Sequence, residues 1–118
     1  MTDNLKKLLE EENFSIEEII VDCELDKVDY STKYQLFPAV LQKLRKGGKI
    51  TIIGLDMNLL ATVIKNNLIT VERMSELVDT SRSIDSMLKV ERFLIDNGFS
   101  LVKRKIAEEG KYVLTATY

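Results

Sequence analysis

Residues 44–56 read LRKGGKITIIGLD and hold the only adjacent glycines in the chain, with basic residues on both sides. A phosphate cradle needs a strand, then glycines, then a helix whose free amides point at the anion. Here the order is reversed. Ahead of Gly47, Tyr34, Phe37, Val40, Leu41 and Leu44 follow helical spacing, and after Gly48 the run from Lys49 to Ile53 is short and β-branched. The pair is expected to end a helix: Gly47 takes the left-handed conformation without a Cβ clash, and Arg45 and Lys46 suit the negative end of the dipole.

Upstream, Asn4 to Glu12 reads as a short helix with Leu5, Leu8 and Leu9 on one face and Thr2 or Asp3 as cap. Ile16 to Cys23 follows as a first strand, with Ile19-Ile20-Val21 as the unbroken apolar run of a strand buried on both faces. Residues 31–45 form a second helix capped by Asp29 or Ser31. Pro38 is a fault inside it, because an interior proline costs about 3 kcal/mol, so the element is expected to kink at Phe37 or to begin at Pro38. Downstream, Ile50 to Ile53 is the second strand and Met57 to Asn66 a helix. Thr70 caps a turn or short helix through Val78, with Met74, Leu77 and Val78 facing inward. Another helix begins at Thr80 to Ser83, its apolar side formed by Ile84, Met87, Leu88, Val90, Leu94 and Ile95, and Asn97-Gly98 stops it. Phe99 to Ala107 and Lys111 to Tyr118 flank Glu108-Glu109-Gly110, a hairpin turn, and Tyr112, Leu114, Ala116 and Tyr118 share one face of the last strand. This order predicts an α/β domain with a mixed four-stranded sheet: two parallel strands, then a C-terminal antiparallel hairpin, flanked by helices.

At 118 residues, 45% apolar and 31% charged, the chain is expected to be one domain, 1–118, able to bury its own core. One cysteine and no histidine exclude disulfides within the chain, the common His/Cys zinc sites and histidine acid–base catalysis. No metal is expected. The first residues lack the apolar core of a signal peptide and no apolar run reaches about 20 residues, so the expected compartment is cytoplasmic, with no membrane association. Residues 1–29 carry ten acids and three bases, and residues 30–118 nine acids and fourteen bases. The bases are scattered, and Lys103-Arg104-Lys105 falls on a strand near a sheet edge, so nucleic acid is not the expected partner.

Three stretches resemble the C-terminal half of a class I S-adenosylmethionine (SAM)-dependent methyltransferase, a Rossmann-like family. LQKLRKGGKITIIG (residues 41–54) is similar to the family's helix, Gly-Gly turn and fifth strand, with Lys46 where proline is usual. IEEIIVDCELDKV (16–28) resembles its fourth strand and following loop, with Leu25-Asp26 as the common leucine–acid pair. FLIDNGFSLVKRKIAEEGKYVLTATY (93–118) is similar to its last helix and closing hairpin. The resemblance implies that residues 14–118 correspond to strands four to seven of a seven-stranded sheet, with residues 1–13 an N-terminal helix. The family's glycine-rich loop has no counterpart, since no G-x-G occurs in the chain. The resemblance therefore implies no cofactor for the isolated chain, and SAM only where a complementary half or a dimer builds the pocket.

The family's strand order, three-two-one-four-five-seven-six, implies that the first strand of this chain becomes an edge. Ile16, Ile19, Ile20 and Val21 would flank unpaired amides and carbonyls, which proteins cover or pair. A homodimer through this strand is the expected remedy, with cover by the N-terminal helix or a partner supplying the missing half as alternatives. Asp22, Cys23, Glu24 and Asp26 lie at the carboxyl end of the first strand, where open α/β sheets place ligands, and Asp56 follows the second strand in the same way. Asp22, Glu24 and Asp26 are the candidate bases, weighed against loop solvation and helix capping, Asp29 included. The sequence reading is a methyltransferase-like protein, non-catalytic alone, that self-associates or binds a partner. The alternative is one part of a split or dimer-assembled SAM-dependent methyltransferase.

Overall fold

The computed structural model of the chain describes residues 2–118, apart from the side chain of Leu101. Helix α1 (Asp3–Glu10) leads into strand β1 (Ile16–Asp22), and a 3-10 turn over Leu25–Lys27 precedes α2 (Tyr30–Leu41). Strand β2 (Leu44–Leu55) is followed by α3 (Met57–Lys65), α4 (Val71–Asp79) and α5 (Met87–Asp96). Strands β3 (Ser100–Ile106) and β4 (Lys111–Thr117) close the chain.

The sheet order is β1-β2-β4-β3, with β1 and β2 parallel and the other two pairings antiparallel. This is the mixed sheet expected from the sequence, and it reproduces the order four-five-seven-six. Helix starts follow side-chain chemistry. Thr2, Asp29, Asp56, Thr70 and Ser86 each accept a backbone N–H from the first turn of α1 to α5 in turn. At the hairpin, Lys111 N donates to the Glu108 carbonyl (3.2 Å) while Glu109 and Gly110 take φ of 59° and 76°, the conformation of a type I′ turn.

One apolar core unites Leu5 of α1, Phe37, Val40 and Leu41 of α2, and Val90 and Leu94 of α5 with Ile19, Val21, Ile50, Ile52, Tyr112, Leu114 and Ala116 of the sheet. The three helices thus lie on the same face. The β1–α2–β2 unit joins two parallel strands, and the general right-handedness of such crossovers sets the side on which α2 packs.

Several expectations are corrected. Gly47-Gly48 does not end a helix: α2 stops at Leu41, where Gln42 N donates to the Pro38 carbonyl (3.0 Å), and Leu44 already belongs to β2. The glycines form a bulge in β2, where Ile16 pairs with Leu44 but Glu18 with Lys49. Gly47 N donates to the Tyr118 carbonyl (3.0 Å), and Tyr118 N to that of Gly48 (2.9 Å). Ile20 is not buried on both faces of its strand but 61% exposed. Val78, Leu88 and Ile95 face solvent rather than the core. Helix α5 starts at Met87 because Ser86, not Thr80 to Ser83, accepts the Lys89 amide (3.1 Å).

Candidate functional site

The carboxyl ends of β1 and β2 meet a loop over residues 80–86, and here the structure gathers charge. Asp26 is 3% exposed and Lys33 1%. Lys33 Nζ donates to Asp26 Oδ1 (2.9 Å) and to the Ser83 carbonyl (3.0 Å), and lies 3.9 Å from Asp85 Oδ2. The other Asp26 carboxylate oxygen accepts the Leu55 amide (2.9 Å), and its backbone carbonyl accepts the amides of Arg82 (2.7 Å) and Ser83 (3.0 Å). One residue thereby joins α2, the end of β2 and the 80–86 loop. Burial raises the Asp26 carboxyl above the usual carboxylate range, opposed by the Lys33 ammonium and the Leu55 amide.

Asp85 extends this network. Tyr34 donates its hydroxyl to Asp85 Oδ2, and burial followed by that carboxylate pushes the phenol pKa up. Lys89 lies 3.5 Å from Asp85 Oδ1 and 4.8 Å above the Tyr34 ring. Asp56 caps α3 by accepting the Leu59 amide (2.9 Å) and ties in α5 by accepting that of Met87 (2.7 Å). Gly54 leaves room for the centre of this cluster, since an added Cβ would meet the Tyr112 hydroxyl at 2.7 Å and Asp26 Oδ2 at 3.1 Å.

The candidates at the end of β1 are separated rather than convergent. Asp22 is exposed, Glu24 accepts a hydrogen bond from Thr2 Oγ1 (2.5 Å), and only Asp26 enters the buried network. Cys23 sits between them at φ 57°. Its thiol is pushed up to about 11 by burial and by the Asp26 and Asp22 carboxylates, which disfavours the thiolate. Asp29 is exposed and caps α2, and the Thr32 amide lowers its pKa. Sequence reasoning missed Lys33 and Asp85. Lys33 left a signal, because it falls four, seven and eight residues before Phe37, Val40 and Leu41, on the buried face of α2.

The second feature is the outer edge of β1. Cys23 N donates to the Ile53 carbonyl (2.8 Å), so in a parallel ladder the alternate residues Glu18, Ile20 and Asp22 turn their backbone groups away from β2. Among the described residues no strand lies on that side. Helix α1 buries Leu5 beneath the sheet, and a cleft of about 270 Å³ remains between helix and strand, lined by Leu5, Leu8, Ile16, Ile19, Ile20 and Val21 among others. Among the described residues no group of acids and cysteine has metal-binding geometry, and no helix is long and apolar enough to cross a membrane.

No protein family and no curated protein matches the sequence. Solved structures do match the fold. It is similar to a SAM-dependent methyltransferase from Archaeoglobus fulgidus (TM-score 0.71, 12% identity), covering 99% of this chain and 66% of that one. A possible histamine N-methyltransferase from Thermotoga maritima is also similar (0.61, 16%; 92% and 58%). So is magnesium protoporphyrin IX methyltransferase from Synechocystis, solved with bound SAH (0.59, 14%; 92% and 47%). The chain therefore spans less than two thirds of the length of these three structures, and it has part of the SAM-dependent methyltransferase fold.

Proposed function

We propose that this chain works by association: it is a methyltransferase-fold module whose sheet is completed by another chain along the outer edge of β1, and it does not transfer methyl groups alone. The outward backbone groups of Glu18, Ile20 and Asp22 carry this reading, because an open edge beside apolar side chains is a template for a further strand. Arg45 neutralises Glu17 (2.7 Å) and Lys49 neutralises Glu18 (3.5 Å), so the edge is not a bare acidic strand. A second copy supplies the simplest partner, its β1 antiparallel to the first about a twofold axis. A partner carrying a glycine-rich strand–loop–helix unit is the other.

The test is calorimetric titration of the purified chain with SAM and with SAH, alongside its solution mass. The reading expects no heat with either ligand and a mass above that of one chain. Because the Ile20 amide points outward, Ile20→Pro is expected to keep the fold and lose the association. Micromolar binding of SAM by a monomer would sink the proposal.

A second reading, a split or dimer-assembled methyltransferase, is favoured by the position of Asp22, Cys23 and Glu24 at the carboxyl end of a parallel strand. It expects SAM heat that develops only at concentrations where the chains associate.

A further inference from the structure

The sheet has a second face that along β2 is buried only at its carboxyl end, at Leu55, and is half-buried or exposed from Lys49 to Ile53. Strand register sets its layout: one row runs Asp22, Ile53, Val113 and Lys105 across the four strands, and the next runs Ile20, Thr51, Thr115 and Lys103. The central side chains of both rows are half-buried and none belongs to the core cluster. Ile20 is exposed although it lies on a parallel pair, and parallel strands are ordinarily covered on both faces. Charge on this face runs from acids on the β1 edge, Glu18 and Asp22, to lysines on the other three strands, Lys49 on β2, Lys111 on β4 and Lys103 and Lys105 on β3. Among the described residues, Asp22, Lys103 and Lys105 have no ion-pair partner within the chain.

We propose that this face is a homodimer contact, in which a second copy packs its own open face against the first with β1 of each copy over β3 of the other. A twofold axis parallel to the strands, between β2 and β4, produces this arrangement. It sets Asp22 opposite Lys105, Ile53 opposite Val113 and Thr51 opposite Thr115, each twice. The alternative twofold, perpendicular to the strands, sets acids over acids and lysines over lysines, so charge selects the first. The product is a four-layer helix–sheet–sheet–helix stack with the sheets about 10 Å apart. The contact uses a surface distinct from the β1 edge and is compatible with a different chain paired along that edge. Copies joined at both edge and face would build an open array, so a discrete dimer uses one of the two.

Sedimentation equilibrium at low salt tests the contact. The wild-type chain is expected to dimerise, more weakly as salt is raised. Lys105→Asp and Asp22→Lys, both at exposed positions, are each expected to weaken the dimer about tenfold. The double variant Asp22→Lys/Lys105→Asp restores the charge pattern and is expected to return to within about threefold of wild type. Circular dichroism confirms that each variant folds. A wild-type chain still monomeric near ~1 mM, an unaffected Lys105→Asp, or a double variant without rescue overturns the proposal. Association lost in Ile20→Pro but intact in Lys105→Asp also overturns it, while leaving the edge reading in place.

Discussion

The two faces of the sheet use the same four strands and differ in almost everything else. On one, Ile50, Ile52, Leu114 and Ala116 are at most 3% exposed and meet Phe37, whose ring centroid lies 4.7 Å from that of Phe93. On the other, the alternating neighbours Thr51, Ile53, Val113 and Thr115 stay half-buried. Strand alternation decides which residues share a face. It does not decide which face the helices cover, and here α1, α2 and α5 all choose one.

The largest expected effect tests that inequality directly. Phe37→Ala removes a fully buried ring from the packed face and is expected to cost about 3–5 kcal/mol in urea denaturation. Val113→Ala, on the open face, is expected to cost less than about 1 kcal/mol in the isolated chain. Comparable losses at the two positions would mean that the second face is packed as tightly as the first.

The buried ion pair at the carboxyl end of the strands sharpens the comparison by adding a pH dependence. Lys33→Met leaves the Asp26 carboxylate buried without its cation, a change expected to cost about 3 kcal/mol near pH 7. The folded pKa of Asp26 is raised by burial, so its stabilising contribution is complete below the unfolded value near 3.8 and is lost as pH rises through the folded value. Removing Lys33 raises the folded value further. The deficit of Lys33→Met is therefore expected to be smaller at pH 4 than at pH 7, read from thermal melts at both. A deficit that does not change with pH would show that Asp26 is not the titrating group.

Much of this fold was legible in the sequence because its signals are local. Asp29 and Thr70 cap the helices expected of them, Glu108-Glu109-Gly110 turns the hairpin, and Tyr112, Leu114 and Ala116 alternate into the core. What was not legible depends on residues distant in the chain. The Gly47-Gly48 bulge is held by Tyr118, and Asp26 takes its partners from Lys33, Leu55, Arg82 and Ser83. The run Ile19-Ile20-Val21 indicated a strand with two covered faces, but the chain's own helices cover only one. The candidate site was legible as a place, the carboxyl end of β1, and not as an arrangement, since Asp22 is exposed, Glu24 binds Thr2 and only Asp26 binds Lys33.

The smallest effect concerns what assigns residues to the two faces at all. A slip of one residue between β1 and β2 would move Ile19 and Val21 to the open side and Ile20 into the core. The bulge guards against it by fitting the stretch from Leu44 to Lys49 opposite Ile16 to Glu18 before the ladder becomes regular. Gly48 is the tight point: an added Cβ would stand 2.8 Å from the Arg45 carbonyl oxygen and 2.9 Å from that of Glu17, so backbone on both strands must move. At Gly47 an added Cβ meets nothing within 4 Å, but the φ of +83° strains any other residue. Gly48→Ala is therefore expected to cost about 2–3 kcal/mol by clash, and Gly47→Ala about 1 kcal/mol by conformation. The reverse ranking in denaturant would show that the left-handed turn, rather than the close approach of the two strands, holds the register.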